Sequence, residues 1–205
     1  MRPDEIENLS FKIIDQEACE HHFSSKEWSI VRRMIHTSAD FDYIKTIRFH
    51  PDAIGSGISA LRNGKTIITD TKMAAAGISK KKLSPFGVSV TCFIDDPDVV
   101  TASAKSKKTR AHEAVEAAVN IMDGGIYVIG NAPTALLHLI ELVESKKASP
   151  ALIIGLPVGF VNAFESKTAL ATLDSPYITN ADRKGGSNIA ASVVNALAIL
   201  AGNTS

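Results

Sequence analysis

Short runs of β-branched and other apolar residues recur along the chain and predict the strands of a sheet. Most of these runs are continuously apolar, which is typical of strands that are covered on both faces. The predicted strands span residues 45–49, 66–69, 88–94, 126–129, 151–155 and 177–179.

Helical patterns fill the intervals between these strands. They cover residues 54–62, 73–77, 99–122, 134–144, 161–173 and 188–200. A strand, a helix and a second strand in succession form a right-handed βαβ unit. The alternation therefore predicts an α/β fold with a mainly parallel sheet.

The first forty residues carry two helical patterns before any strand. The second starts at Ser24, whose hydroxyl can cap the helix together with the Glu27 carboxylate, and it ends near His36. No repeat, linker or low-complexity tract divides the chain. We expect residues 1–205 to form a single domain, with the helices of residues 1–40 packed on its α/β core.

The balance of charges weighs against several classes of partner. The chain has 205 residues, 45% of them apolar, with 22 basic and 22 acidic side chains and a net charge of zero. This composition is typical of a soluble globular domain and does not support binding to nucleic acid or to a membrane surface. An anionic ligand therefore has to be bound by local groups.

The cysteines and the apolar segments indicate a cytoplasmic protein. Cys19 and Cys92 lie far apart and outside any metal-binding or C-x-x-C spacing. This favours reduced, buried thiols, with a single long-range disulfide as the alternative. The polar first residues lack the apolar run of a secretory leader. The apolar stretch at 189–202 is too short to cross a bilayer and predicts a buried or interface helix.

The candidate ligand-binding segments are those that directly follow the strands, because ligands of an open parallel sheet bind outside the carboxyl ends of its strands. Glycine-rich turns and helix starts occur there, and their free N–H groups attract carboxylates or phosphates. Pro133 suits a first helical turn and Asn131 a helix cap. Tight turns without a ligand are the alternative for each loop. The segments are 70–73, 130–134, 155–161 and 180–187.

Other kinds of site find little support in the sequence. Neither a dinucleotide-binding G-x-G-x-x-G nor a phosphate-binding P-loop motif is present. No histidine pair has metal-ligand spacing, no serine lies in a nucleophile elbow, and the aspartates of 40–42 and 95–96 are typical of turns and caps. His36 is the candidate acid or base, since the end of a helix favours its charged form, although a simple cap is the alternative.

The motifs taken together resemble those of the precorrin-8X methylmutase family, which includes the cobalt-precorrin-8 methylmutases. The resemblance runs in order along nearly the whole chain, and its two long loop motifs are its most specific part. It rests on Ser10-Phe11, Arg33-Met34-Ile35-His36, Asp70 with Met73, the 130–136 motif GNAPTAL, the 155–161 motif GLPVGFV, Glu165-Ser166-Lys167 and Gly185-Gly186-Ser187.

The resemblance implies a three-layer, flavodoxin-like fold and a homodimer with its site near the dimer interface. It implies an isomerase of cobalamin biosynthesis that moves a methyl group from C11 to C12 of the macrocycle, giving hydrogenobyrinate, or cobyrinate when cobalt is bound. No cofactor takes part, and any cobalt belongs to the substrate. His36 matches the catalytic histidine. Some relatives carry a Cys-Gly type sequence where this chain has Thr37-Ser38.

The substrate carries several carboxylates, which helix starts and basic side chains can bind. A non-catalytic corrinoid carrier and a phosphoester or nucleotide-binding enzyme are the alternatives, and the cobalt content of the substrate stays open. Transfer to or from neighbouring enzymes of the pathway is a further expectation. The expected substrate-binding residues are Ser10, Arg33, Asp70, Thr71, Arg110, Asn131, Ala132, Thr134, Gly159, Lys167, Arg183, Gly186 and Ser187, with Lys184 as a further cation.

Overall fold

The computed structural model describes residues 2–203, in which strands and helices alternate after an N-terminal helical segment. Short 3-10 turns lie at Ser84–Phe86 and Val119–Ile121. The strands are β1 (Ile47–Phe49), β2 (Ile67–Thr69), β3 (Val90–Thr91), β4 (Ile126–Ile129), β5 (Leu152–Gly155) and β6 (Tyr177–Asn180). The helices are α1 (Pro3–Glu17), α2 (Ser25–Ser38), α3 (Tyr43–Thr46), α4 (Ala53–Arg62), α5 (Lys72–Gly77), α6 (Lys80–Leu83), α7 (Pro97–Ser106), α8 (Arg110–Ala118), α9 (Pro133–Glu144), α10 (Ala163–Leu170) and α11 (Ser187–Gly202).

The strands form one sheet in the order β1-β6-β5-β4-β2-β3. All neighbouring pairs are parallel except β1 with β6. Without β1, the five parallel strands have the 2-1-3-4-5 order of flavodoxin-like folds. The predicted α/β fold with a mainly parallel sheet is thus confirmed. The strand order reverses between β2 and β4, which is where such sheets open a crevice for ligands.

Alternating side chains of the central strands supply the two hydrophobic cores. Ile126 and Val128 of β4 face the core beneath α2, α4 and α11, whereas Tyr127 and Ile129 face the core beneath α8, α9 and α10. Because successive residues of a strand point to opposite faces, a continuously apolar strand covers both layers. This pattern accounts for the three-layer arrangement.

The N-terminal helices pack on the sheet through α2 and α11. Ile30, Val31 and Met34 of α2 are fully buried in the same core as α11. The predicted capping box is present: Ser24 accepts a hydrogen bond from the Glu27 N–H, and Glu27 accepts one from the Ser24 N–H. A hydrogen bond of 2.8 Å from the Trp28 indole to Asp15 holds α1 against α2.

Several predicted elements are wrong at their boundaries, among them the 161–173 helix, which spans only Ala163–Leu170. The 45–49 strand begins only at Ile47, because residues 43–46 form a helical turn. The 88–94 strand pairs only at Val90–Thr91. The helix predicted over 99–122 is interrupted at Lys107, which adopts a left-handed conformation with φ 61°, and Thr109 caps a new helix.

The long apolar helix α11 lies inside the protein. Its side chains from Ile189 to Ala201 are mostly buried between α2, α4 and α5, so this helix is a core element and not an exposed interface. Within residues 2–203, no helix is long and apolar enough to cross a membrane. Cys19 and Cys92 are unpaired, and Cys19 is exposed, which corrects the expectation of two buried thiols.

Candidate functional site

Asp70 braces the loop that follows β4. Its carboxylate accepts hydrogen bonds from the N–H groups of Gly130 (3.1 Å), Asn131 (2.8 Å) and Ala132 (2.8 Å), and the residue is 1% exposed. Burial raises the pKa of the Asp70 carboxyl, and the three N–H donors oppose that effect because they stabilise the ionised form. Asp70 therefore bridges β2 and β4 at the point where the strand order reverses, and its carboxylate faces the loop.

The loop before α11 packs tightly against this braced loop. A Cβ atom on Gly130 would lie 2.6 Å from the Cα of Ser187, a distance that only glycine permits. The Ser187 hydroxyl lies 2.8 Å from the Thr71 hydroxyl, which also accepts a hydrogen bond from the Ala74 N–H at the start of α5. The structure thus brings together Thr71, Gly130 and Ser187, which follow β2, β4 and β6.

The loop after β5 joins the same edge and exposes apolar side chains. Its Gly159 N–H donates to the Arg183 carbonyl at 3.1 Å. Phe160 and Val161 are 84% and 78% exposed, and the Arg183 guanidinium lies 5.7 Å from the Phe160 ring centroid. An exposed apolar surface next to a cation suits a ligand with an apolar body and a charged rim.

Three of the expected carboxylate-binding cations already contact carboxylates of the protein. Arg33 pairs with Glu7, and Arg110 lies 3.0 Å from Asp95. Lys184 donates to two aspartates of the turn after α2. In the part of the chain that the structure describes, Arg183 pairs with no carboxylate. The positive charge predicted from sequence is thus largely neutralised within the protein.

Lys167 is buried beneath the loop that follows β6. Its ammonium donates to the Asn180 side-chain oxygen at 3.1 Å and to the Lys184 carbonyl at 2.8 Å, and the residue is 1% exposed. Burial lowers the pKa of Lys167 to about 8, although the charge of Asp182 opposes this shift. Lys167, one of the expected substrate-binding residues, therefore contacts this loop from within the protein.

The helix starts at this edge differ in how they are capped. Ala132 precedes α9 and Pro133 begins it, as predicted, but Asn131 is exposed and does not cap the helix. Thr134 lies 2.9 Å from the hydroxyl of Thr109, the residue that caps α8. This contact ties the start of α9 to the helix that begins with Arg110.

His36 lies exposed in the last turn of α2, beside a groove between α1 and α2. The groove has a volume of about 410 Å³ and is lined in part by Ser10, Ile13, His36 and Phe41. The imidazole packs against Phe11 with a centroid distance of 5.2 Å. The Ser10 hydroxyl donates to the Ile6 carbonyl at 2.9 Å and so remains able to accept a hydrogen bond.

The groove and the sheet edge are joined by Lys184. Its ammonium lies 2.7 Å from Asp40 and 2.5 Å from Asp42, in the turn that directly follows the His36 helix. The two aspartates were expected as turn and cap residues, and their contact with Lys184 was missed. Nothing in the local sequence pattern pairs residues that lie more than 140 positions apart.

Two further histidines and a cavity at the other end of the sheet do not extend this site. His112 and His138 stack at 3.7 Å between α8 and α9. Within residues 2–203, no three His, Cys, Asp or Glu side chains are grouped so that they could hold a metal ion. A cavity of about 640 Å³ lies at the amino ends of the strands, next to Lys65 and Pro176, and therefore opposite the edge where ligands of such sheets bind.

Comparisons with known proteins cover nearly the whole chain. A model of the precorrin-8X methylmutase family (CbiC) matches residues 5–200. The cobalt-precorrin-8 methylmutase of Priestia megaterium is 45% identical over 201 residues, 98% of this chain and 89% of that protein. The protein of the same name from Leptospira interrogans is 45% identical over 203 residues, 95% of this chain and 92% of that protein. A crystal structure of precorrin-8X methylmutase from Thermus thermophilus has a TM-score of 0.91 at 44% identity and covers 97% of this chain and 96% of that one. The chain belongs to the precorrin-8X methylmutase family.

Proposed function

We propose that this protein is a methylmutase of cobalamin biosynthesis. It moves a methyl group from C11 to C12 of precorrin-8X or cobalt-precorrin-8 and so gives hydrogenobyrinate or cobyrinate. The observation that carries the proposal is the family match over residues 5–200, together with relatives of that name that are 45% identical along nearly the whole chain.

The chemistry of this reaction suits the residues at the site. As the bond from the methyl group to C11 breaks, the bond to C12 forms, so the product is an isomer with the same atoms and the same oxidation level. The step therefore needs no nucleophile, methyl donor or redox cofactor, and we propose that the enzyme uses none. Its tasks are to hold the macrocycle in one pose and to place one proton.

His36 is the proposed proton donor or hydrogen-bond donor to the macrocycle near ring C. Its imidazole is exposed at the groove between α1 and α2, where it can reach a ligand, and Phe11 supports one side of the ring. The proton returns to the imidazole when the product leaves, so His36 acts catalytically. General acid catalysis of this kind contributes roughly 10²–10⁴-fold to a rate.

The burial of the expected substrate-binding residues divides them into two proposed roles. Ser10, Asn131, Gly159 and Arg183 lie at the groove or on the exposed loops, and we assign to them the contacts with the macrocycle and its carboxylates. Arg33, Arg110 and Thr134 are at least partly accessible and can contribute further polar contacts. The proposed supports of the loops are Asp70, Thr71, Ala132, Lys167, Gly186 and Ser187.

We further propose that two copies of the chain form a dimer that covers the apolar surface at the site. Ile6, Leu9 and Ile13 of α1 are all more than 40% exposed, and Ile13 also lines the groove beside His36. A contiguous apolar helix face of this kind is costly in water and typical of an interface. Light scattering on the purified protein tests this, and a monomer at micromolar concentration contradicts it.

The cytoplasm is the proposed compartment, because the two thiols are unpaired, as is usual in reducing surroundings. Transfer of corrinoid to or from neighbouring enzymes of the pathway remains a proposal as well.

The test is the conversion of precorrin-8X or cobalt-precorrin-8 under anaerobic conditions, followed by the visible spectrum. The wild-type protein changes the chromophore, and His36→Ala slows this change by at least about 10²-fold while the tetrapyrrole still binds. His22→Ala, which removes an exposed histidine from the loop before α2, is the matched control and keeps full activity. Release of unchanged substrate after denaturation would indicate a carrier instead, and a fully active His36→Ala enzyme would refute the catalytic role.

A further inference from the structure

Both polar groups of the Lys184 backbone, the N–H and the carbonyl, make hydrogen bonds to side chains. Its N–H donates to the Asp182 carboxylate at 2.7 Å, and its carbonyl accepts from the Lys167 ammonium at 2.8 Å and the Asn180 amide at 3.0 Å. Lys167 and Asn180 are themselves buried, at 1% and 0% exposure. The Lys184 side chain therefore projects from a rigid base at the carboxyl end of β6.

The turn that Lys184 contacts contains a residue in an unfavourable backbone conformation. Ala39 ends α2 in the left-handed conformation, with φ 54° and ψ 30°, which costs a residue other than glycine about 1 kcal/mol. Asp40 follows it, and the Asp40 carboxylate accepts the Asp42 N–H at 3.0 Å. Strained conformations of this kind persist when the surrounding structure holds them.

The Lys184 ammonium supplies that support through two charged hydrogen bonds. It reaches Asp40 at 2.7 Å and Asp42 at 2.5 Å, and these contacts raise the pKa of Lys184 and lower that of Asp42. We call this arrangement the Lys184 clamp. Charged hydrogen bonds at these distances are short and directional, so they restrict the turn more than a single surface ion pair does.

We propose that the Lys184 clamp positions His36 against the loops of the sheet edge. His36 lies four residues before Asp40, in the last turn of α2, whereas Lys184 belongs to the loop that packs on Gly130 and Leu156. The clamp fixes the distance between the proton-donating group and the surface that holds the macrocycle. This inference rests on the proposed function, because it concerns the placement of His36 for that reaction. Lys184 is a positioning residue and not a catalytic one.

The first test compares steady-state constants of Lys184→Met with those of the wild type. A displacement of about 1 Å in a reacting group can cost on the order of 10²-fold, so kcat should fall by about 10- to 100-fold. KM should stay within about threefold, because the ammonium binds protein carboxylates and not the substrate. Lys184→Arg, which keeps the charge and the reach, should recover most of the kcat. Lys26→Met, at the exposed first turn of α2, is the control and should behave as the wild type does.

Two further measurements separate this proposal from a loss of folding and from a failure of the proposed function. Hydrogen exchange at residues 36–42 should be faster in Lys184→Met and in Asp40→Asn/Asp42→Asn, with the midpoint of thermal unfolding within a few degrees of the wild type. The combination of all three substitutions should be no slower in turnover than Lys184→Met alone. An unchanged kcat and exchange rate in Lys184→Met, or a rise in KM at constant kcat, would overturn the clamp. If the wild type converts no substrate but the hydrogen-exchange rates respond as expected, the proposed function fails. The Lys184 clamp is then a structural contact only, and its role in positioning His36 is overturned.

Discussion

Removal of the Asp70 carboxylate tests whether the sheet edge is built as described. In Asp70→Ala the N–H groups of Gly130 and Ala132, which belong to buried residues, lose their acceptor, and the N–H of Asn131 is left to water. An unsatisfied buried donor costs about 1–3 kcal/mol, so two of them predict a loss of about 4 kcal/mol in the free energy of unfolding. For a protein of this size, this corresponds to a decrease of roughly 8–16 °C in the unfolding midpoint.

Asp70→Asn should lower the free energy of unfolding by about half as much as Asp70→Ala, because of how the two carboxylate oxygens share the three hydrogen bonds. One carboxylate oxygen accepts from both Asn131 and Ala132, and the other accepts from Gly130 alone. An amide oxygen can take the first position and keep two bonds, while its NH₂ group then faces the Gly130 donor. Asp174→Ala, at an exposed turn position, is the control and should stay within about 0.5 kcal/mol of the wild type.

Urea unfolding followed by circular dichroism measures these differences at pH 7. The expected order of stability is wild type and Asp174→Ala, then Asp70→Asn, then Asp70→Ala. If the free energy of unfolding of Asp70→Ala lies within about 0.5 kcal/mol of that of the control, the Asp70 carboxylate does not stabilise the loop after β4.

Further predictions concern close packing and buried charge. Gly130→Ala should lower the free energy of unfolding by more than about 2 kcal/mol, because its Cβ would lie 2.6 Å from Ser187. Gly55→Ala, in open space on α4, is the control and should be neutral or stabilising by up to about 1 kcal/mol in the same urea titration. Burial lowers the pKa of Lys167 from 10.5 to about 8. Between these two pH values the unfolded state therefore binds more protons than the folded state. The free energy of unfolding should rise over this pH range by up to about 3 kcal/mol relative to that of Lys167→Met. A flat difference between the two proteins over pH 8–10.5 would contradict the burial of a charged Lys167.

The sequence predicted the parts of the fold that depend on local patterns. The strands β4 and β5 are continuously apolar because they are covered on both faces, and the Ser24–Glu27 capping box is a local contact. The break in the 99–122 helix depends on the left-handed Lys107, a residue type that carries no such signal. The pairing of β1 against the general strand direction depends on where the N-terminal helices dock, which local patterns do not specify.

The candidate site shows the same limit. The segments at the carboxyl ends of the strands were predicted correctly as one cluster, since the topology of a parallel sheet brings them together. The contacts that its charged residues make within the protein were not predicted. Asp70, Lys184 and Arg110 each bind a partner distant in sequence, at 130–132, 40–42 and 95 respectively. A side chain that can bind a carboxylate binds one from the protein as readily as one from a substrate, and only the fold decides between them.

The migrating methyl group itself gives the most direct test of the proposed reaction. Substrate labelled with ¹³C both in the methyl group at C11 and at C12 is mixed with unlabelled substrate and incubated with the wild-type protein or with His36→Ala. NMR then shows one-bond ¹³C–¹³C coupling in the product only where the methyl group has stayed within its own molecule. If the reaction proceeds as proposed, the labelled methyl group moves to C12 within the same molecule in the wild type, and at least about 10²-fold more slowly in His36→Ala. A methyl label that stays at C11 in the presence of the wild-type protein, or that moves equally fast with His36→Ala, would contradict the proposal.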